Sequence, residues 1–283
     1  MSFIAGAALL VTTTPAWALS MRVVPATPAQ GDVVMVLLHG AGGAREVRGS
    51  LGDRPLRFFS HGEEHAALTG IDLEAKPGKA VWRVSFVDAG NVAREATGSL
   101  VIKSRTFPVQ RLTLPTPMVD LSPEDERRAA SEAARLSALY QTVTPERLWH
   151  GRFVRPLAGD LPGAGFGSRR IINGQPRMPH SGADFAAERG TPVVAANRGR
   201  VALVGDFFFA GRLVVLDHGL GLYTLYFHLD RAAVQEGMTV ERGETIGVVG
   251  CTGRATGPHL HWGAQVGRSR VDPMTLLSVA VSD

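Results

Sequence analysis

Two short segments of the chain carry residues that could bind a metal ion. His259 and His261 are separated by one residue, and His180 lies four residues before Asp184. In an extended strand, side chains at i and i+2 point to the same face, so His259 and His261 can converge on one cleft. Catalytic zinc typically has three histidine or carboxylate ligands and a water, whereas structural zinc is normally closed by four ligands rich in cysteine. Because the chain has a single cysteine, these residues predict a zinc hydrolase.

The elements that position these residues are predicted to be strands. The spacing of His180 and Asp184 fits a helix or a strand, but Gly182 between them and the run TPVVA at residues 191–195 favour the strand. Further short β-prone runs follow, joined by glycine turns without an intervening helix of 10–15 residues, which indicates antiparallel sheets. In the run TLYFHL, alternation predicts that Tyr226 and His228 share a face and that His228 lines a groove.

Four ordered blocks resemble the lysostaphin/LytM-type zinc metallopeptidases, which cleave peptide bonds in bacterial peptidoglycan. The resemblance covers about residues 150–276. The blocks are GFGSRR (165–170), HxxxD (180–184), TLYFHL (224–229) and TGPHLHW (256–262). The resemblance implies a compact β-sandwich with the metal in a surface groove.

The same resemblance implies roles for five residues. One Zn²⁺ per chain would be held by His180, Asp184 and His261, while His228 and His259 would be the two catalytic histidines. The chain shows no departure from the family pattern at these positions. This matters because some members of the family have lost metal ligands and act only as activators of other wall hydrolases.

Composition and charge indicate a globular, β-rich protein. The chain has 283 residues, enough for about two domains, with 45% hydrophobic and 20% charged residues. Its 33 glycines and 17 prolines are typical of many turns. The net charge is +4, but lysine and arginine are scattered and no nucleic-acid motif accompanies them, so we expect no nucleic-acid partner.

We predict a mainly β chain in four parts. A helix should begin at Ser122 as N-cap with Pro123 in its first turn. Because the catalytic candidates all lie beyond residue 179, we expect a fragment beginning near Trp149 to fold alone. The predicted parts are a signal peptide (1–18), an immunoglobulin-like β-sandwich (19–107), a linker with a helix (108–150) and the metallopeptidase domain (151–283).

These patterns predict an exported zinc metallo-endopeptidase, periplasmic or secreted, that acts on peptidoglycan stem peptides. We favour D-Ala–diaminopimelate cross-links over glycine bridges, because wall-binding repeats are absent from the sequence. After removal of the signal, no segment of about 20 apolar residues is left to span a membrane. One alternative is a catalytically silent module that activates a cell-wall amidase, which the intact set of five residues argues against.

A second alternative concerns the segment LHGAGGA at residues 38–44, which resembles the oxyanion loop of lipases. It would make the protein a serine hydrolase, but the sequence has no G-x-S-x-G nucleophile elbow. We interpret His39, His61, His65 and His150 as packed or surface residues. For His218, in DHGLG, we expect a role in stabilising the turn.

Overall fold

The N-terminal part consists of two antiparallel sheets. The computed structural model describes residues 19–116 and 119–280, so the predicted signal peptide lies outside the described residues. Two four-stranded sheets have the orders β1-β2-β6-β5 and β4-β3-β7-β8. Their strands are β1 (Ser20–Val24), β2 (Val33–His39), β3 (Arg45–Leu51), β4 (Arg54–Leu56), β5 (Phe58–His61), β6 (Glu64–Gly70), β7 (Gly78–Val87) and β8 (Ala93–Ile102).

Strand β2 is buried on both faces, which explains its continuous apolar sequence VVMVLL. Val34 and Val36 pack in a core shared with the second sheet. Val33, Met35 and Leu37 point the other way, because successive side chains of a strand alternate, and they belong to the core of the C-terminal part. The first sheet therefore lies between two hydrophobic cores.

Polar contacts reinforce the junction of the first sheet with the C-terminal part. The guanidinium of Arg270 donates to Asp72 at 2.9 Å, and the amide of Val33 donates to the hydroxyl of Thr275 at 3.0 Å. Gly70 is packed so closely that a Cβ there would lie 2.7 Å from Val271. The predicted domain boundaries stay a prediction, but the two parts share one continuous core.

The segment between these parts carries β9 (Val109–Leu112) and α1 (Pro123–Gln141). Helix α1 begins after Ser122, whose hydroxyl accepts a hydrogen bond from the Asp125 amide at 3.1 Å. Glu132 then accepts a hydrogen bond from the Phe208 amide at 2.7 Å, and Leu136 packs against a cluster of buried residues from the C-terminal sheet. These contacts hold α1 on the C-terminal part.

The C-terminal part is built on a nine-stranded antiparallel sheet, as the sequence predicts. Its main path is β12-β19-β16-β15-β14-β17, while β9 pairs in parallel with β10 in a separate three-stranded sheet. The elements are β10 (Arg169–Ile172), β11 (Gln175–Pro176), β12 (Gly182–Ala186), β13 (Pro192–Val194), β14 (Gly199–Phe207), β15 (Gly211–Gly219), β16 (Leu222–Ala232), β17 (Thr239–Val240), β18 (Thr245–Val249), β19 (His259–Val266), β20 (Ser269–Val271) and α2 (Pro273–Leu276). Strands β12, β19 and β16 are neighbours and carry most of the candidate site.

Candidate metal centre

Two paired strands bring the predicted zinc residues together. Asp184 on β12 is the direct register partner of His261 on β19, and His180 lies just before β12. His180 Nε2 is 2.9 Å from His261 Nδ1, and both nitrogens are 3.0 Å from Asp184 Oδ1. We call these three residues the metal cluster.

The donor set of the metal cluster fits zinc. Ligand atoms about 2.0–2.1 Å from a tetrahedral zinc ion are about 3.3 Å apart, close to the separations of 2.9–3.0 Å in this cluster. Two imidazole nitrogens and a carboxylate oxygen are also the atoms that zinc prefers. One cation at the centre of this triangle would therefore satisfy all three atoms at once.

The protonation states of the metal cluster favour a cation as well. Burial lowers the pKa of His261 to about 4, although its hydrogen bond with Asp184 opposes the shift. Burial raises the pKa of Asp184, but its contacts with His180 and His261 outweigh that effect and hold the pKa well below its usual range. At neutral pH His261 is therefore uncharged and Asp184 ionised, as metal binding requires.

Backbone hydrogen bonds with the loop at residues 164–168 hold His180 and Asp184 in position. The His180 amide donates to the Ser168 carbonyl at 3.0 Å, and the Asp184 amide donates to the Ala164 carbonyl at 2.8 Å. Gly165, at φ +90°, faces the His180 ring, and a Cβ there would lie 3.0 Å from Nδ1. Gly165 therefore allows this loop to approach the metal cluster closely.

A β-bulge in β16 orients the His228 side chain toward the groove. Strand β15 pairs Arg212 with Leu229 and Val214 with Tyr226, so one residue on β15 opposes two on β16. His228 has φ +62°, a left-handed conformation that is uncommon for residues other than glycine and is concentrated at functional sites. The predicted shared face of Tyr226 and His228 is wrong. Tyr226 belongs to the core, because the bulge breaks the alternation.

The two predicted catalytic histidines lie side by side on one flank of the metal cluster. The ring centres of His228 and His259 are 4.7 Å apart, and His259 Nε2 is 4.0 Å from Asp184 Oδ1. His228 Nδ1 donates to the Thr252 carbonyl at 2.8 Å, and His259 Nδ1 donates to the Gly257 carbonyl at 2.8 Å. Because a carbonyl can only accept, each neutral ring carries its proton on Nδ1 and has a lone pair on Nε2.

Burial is also the main cause of a low pKa at His228. It lowers the pKa to about 3, and the neighbouring rings of His261 and His259 act in the same direction. The imidazole of His228 is therefore neutral at pH 7 and can accept a proton. Phe227 stacks on the His261 ring with 5.1 Å between ring centres, which covers the other side of the metal cluster.

Part of the groove wall comes from the predicted linker, residues 108–150. Ala133 and Leu136 of α1 line a cavity that also contains His180 and His261. On the other side, Gln110 and residues following it on β9 line a second cavity around the metal cluster. The sequence carried no periodic signal for this placement, because β9 is four residues long and largely exposed.

Two arginines in the groove, Arg170 and Arg254, are not among the residues predicted from the sequence. Arg170 and Arg254 line both cavities beside the metal cluster. Arg170 ends the GFGSRR block and Arg254 lies two residues before TGPHLHW, so proximity to the matching blocks was the only signal that could have found them.

His218 and Asp217 both stabilise the turn between β15 and β16. Asp217 Oδ1 accepts a hydrogen bond from the Gly219 amide at 2.7 Å. The buried His218 ring donates from Nδ1 to the Arg198 carbonyl at 2.8 Å and accepts the Thr224 hydroxyl at Nε2, 2.7 Å away. His218 therefore links β15 to β16 and also to Arg198, the residue before β14.

The segment at residues 38–44 lies at the end of β2, in the N-terminal part. His39 Nδ1 contacts Glu64 Oε1 at 2.5 Å, so this histidine has a carboxylate partner on β6. The position at the edge of the first sheet agrees with the interpretation of His39 as a structural residue.

Comparison with known proteins gives a consistent result for the C-terminal part. The profile of Peptidase family M23 matches residues 178–273. The peptidoglycan DD-endopeptidase ShyB of Vibrio cholerae is 42% identical over 97 residues, which are 34% of this chain and 23% of ShyB. The DD-carboxypeptidase/endopeptidase Mpg of Neisseria meningitidis is 43% identical over 97 residues, 34% of this chain and 22% of Mpg. The chain thus spans about a quarter of the length of these curated relatives.

One solved structure is similar over nearly the whole chain. It is the crystal structure of a Pseudomonas aeruginosa protein described as an M23 peptidase, with 32% sequence identity and a TM-score of 0.69. The match covers 89% of this chain and 95% of the other. The N-terminal sheets and the linker are therefore included in the similarity, and not only the segment around the metal cluster.

Proposed function

The chain belongs to peptidase family M23, and from that premise we propose that it is a zinc metallo-endopeptidase that hydrolyses peptide cross-links of bacterial peptidoglycan. The observation that carries the proposal is the arrangement of the groove. Three atoms of the metal cluster converge on one point, and two histidines outside the cluster flank it with free Nε2 atoms.

His180, Asp184 and His261 would hold the metal in this proposal. When bound, the zinc ion supplies a Lewis acid that polarises the scissile carbonyl and makes water nucleophilic at neutral pH. The chain has no HExxH motif, so a glutamate base of the zincin type is missing and the protons must be moved by other residues.

His228 and His259 are the proton-transfer residues in this proposal. Each has a lone pair on Nε2, because Nδ1 is engaged by a backbone carbonyl, and each can therefore accept the proton of the attacking water. The ring that takes the proton becomes a donor. It can then stabilise the oxyanion of the tetrahedral intermediate or protonate the leaving amine.

The proposed substrate is the D-Ala–diaminopimelate cross-link rather than a glycine bridge. Support comes from relatives named as a DD-endopeptidase and a DD-carboxypeptidase/endopeptidase. Peptidoglycan lies outside the cytoplasmic membrane, so we propose a periplasmic or secreted location. No helix among the described residues is long and apolar enough to cross a membrane.

Digestion of purified sacculi tests the function. Zinc-loaded protein should convert cross-linked stem-peptide dimers into monomers that stay attached to their glycan strands, and mass analysis after cleavage of the glycan with a muramidase identifies the bond that is cut. Asp184→Asn is the matched inactive control, because it removes one charge from the metal cluster at nearly constant shape. Zinc binding without any product would instead support the alternative of a silent module that activates an amidase.

A further inference from the structure

An arginine in the groove, Arg254, has no anionic partner among the described residues. Arg254 is half-buried and lies over the ring of Phe209, with 4.2 Å from its guanidinium carbon to the ring centre. Its backbone amide donates to the Phe209 carbonyl at 3.0 Å. No described residue, however, accepts a hydrogen bond from the guanidinium. The guanidinium, which has five N–H donors, therefore lines the groove without an acceptor from the described part of the chain.

A second cation lies at the same place. Arg170 is half-buried and lines the same two cavities as Arg254. Its Nε donates to Gln110 at 3.3 Å, and its terminal nitrogen is 3.6 Å from Asp184 Oδ2. Burial lowers the pKa of Arg254, and the positive charges of Arg170 and Arg177 lower it further.

Positive charges held close together and partly out of water are unfavourable unless an anion compensates them. Glu132 lines one of the two cavities, but it is already paired with Arg128 at 2.8 Å and accepts the Phe208 amide. Among the described residues, the other carboxylate that lines these cavities is Asp184, which also belongs to the metal cluster. A bound zinc ion would neutralise part of the negative charge of Asp184. Less negative charge would then remain to offset the positive charges of Arg170 and Arg254. The excess positive charge in the groove therefore favours binding of an anionic group of the substrate.

The chemistry of the cross-link supplies such an anion. In a D-Ala–diaminopimelate bond, the carbon that bears the scissile nitrogen also bears a free carboxylate. In a glycine bridge, the corresponding carbonyl continues as an amide and carries no charge. An arginine fork matches a carboxylate with two parallel hydrogen bonds, so these residues can distinguish the two substrate classes.

We propose that Arg254, assisted by Arg170, binds the carboxylate on the leaving-group side of the scissile amide and so selects D-Ala–diaminopimelate cross-links over glycine bridges. This inference rests on the proposed function. Arg254 touches the substrate but does not take part in the bond change. Arg170 has a second task, since it also contacts a residue of the metal cluster.

The test compares two synthetic cross-linked peptides that differ only at that carboxyl group, which is free in one and a carboxamide in the other. The wild-type kcat/KM should favour the free acid roughly 10- to 100-fold, the size of a charge-assisted hydrogen bond. Arg254→Gln should lower kcat/KM for the free acid and leave kcat/KM for the carboxamide unchanged, so that the preference is lost. Arg254→Lys should restore part of the preference. Arg200→Gln is the matched control, because Arg200 is exposed at the opposite end of β14 from the groove residue Phe207.

Binding to the zinc-free protein separates this inference from the proposed function. Calorimetry should show tighter binding of the free acid than of the carboxamide by wild type, and equal binding by Arg254→Gln. The zinc content of Arg170→Gln is measured in parallel, because of the contact with Asp184. If wild type binds both peptides equally, or if Arg254→Gln weakens both to the same extent, the inference is overturned, even where hydrolysis is observed. If binding discriminates but neither peptide is cut, the proposed function fails and the carboxylate site stands.

Discussion

Substitution of Gly182 by alanine should disrupt the metal cluster although Gly182 is not one of its members. Gly182 lies on β12, directly opposite Gly263 on β19. A Cβ at residue 182 would lie 2.5 Å from the carbonyl oxygen of Trp262 and 2.6 Å from Nε2 of His261. The first neighbour is backbone and the second is a ring of the metal cluster, so neither can move without changing the site.

The size of the effect follows from these distances. Carbon atoms in favourable contact are about 3.5–4.0 Å apart, so β12 and β19 would have to separate or the His261 ring would have to turn. Overpacking of this kind costs about 1–3 kcal/mol of unfolding free energy. Either movement also displaces His261 from Asp184, its register partner, and a misplacement of about 1 Å at a reaction centre can lower the rate about 10²-fold.

Gly263→Ala is the matched control for Gly182→Ala. A Cβ at residue 263 would have Leu225 Cβ as its nearest neighbour, at 3.4 Å, so the same methyl group is added to the paired strand without a clash. Zinc stoichiometry, thermal unfolding and sacculus hydrolysis should all be impaired in Gly182→Ala and nearly unchanged in Gly263→Ala. Full zinc content and near wild-type hydrolysis in Gly182→Ala would show that the strand pairing does not set the geometry of the metal cluster.

Four further predictions concern the site and the fold. Alanine at any residue of the metal cluster should remove zinc and activity together, and stoichiometric zinc in all three variants would contradict the ligand assignment. Alanine at His228 or His259 should retain zinc and lower turnover about 10²-fold or more, whereas a metal-free variant would move that histidine into the ligand set. Burial lowers the pKa of His218 to about 4, so its contribution to stability is full above about pH 6.5 and is lost as the pH falls toward 4; His218→Gln should flatten the dependence of the unfolding free energy on pH in that window. Contrary to the expectation from sequence, a fragment beginning at Trp149 should aggregate unless β2 and β6 are supplied, and a soluble, zinc-binding fragment would show that the shared core is dispensable.

Local spacing predicted the metal cluster only in part. The family pattern joined His180 and Asp184 to His261, although Asp184 and His261 are 77 residues apart. His259 and His261 share a face of β19 by simple alternation, a relation that is visible within three residues. The start of α1 was predictable for the same reason, since Ser122 caps the helix through the amide three residues later. Features of this kind depend on a few neighbouring residues, whose types and spacing are visible in the sequence.

The orientation of His228 could not be predicted in this way. It depends on a bulge that forms only when β15 pairs with β16, and on the carbonyl of Thr252, which fixes the ring 24 residues away in sequence. The apolar run of β2 was likewise ambiguous. A strand buried on both faces has the same sequence pattern whether its second neighbour is a sheet of its own domain or of another.

The predicted division into two domains and a linker does not show that the groove is formed by the linker and the C-terminal part together. Strand β9 pairs in parallel with β10, the strand that carries Arg170, and α1 is held by Glu132 beside the loop that carries Phe209. Both contacts join residues far apart in sequence, so neither leaves a periodic signal. The metal cluster is built from strands of the C-terminal sheet, whereas α1 and β9 of the linker form part of the groove wall beside it. The proposed bond-breaking chemistry can therefore be inferred from short motifs, whereas the shape of the groove, on which the proposed substrate selection depends, requires tertiary packing between the linker and the C-terminal sheet.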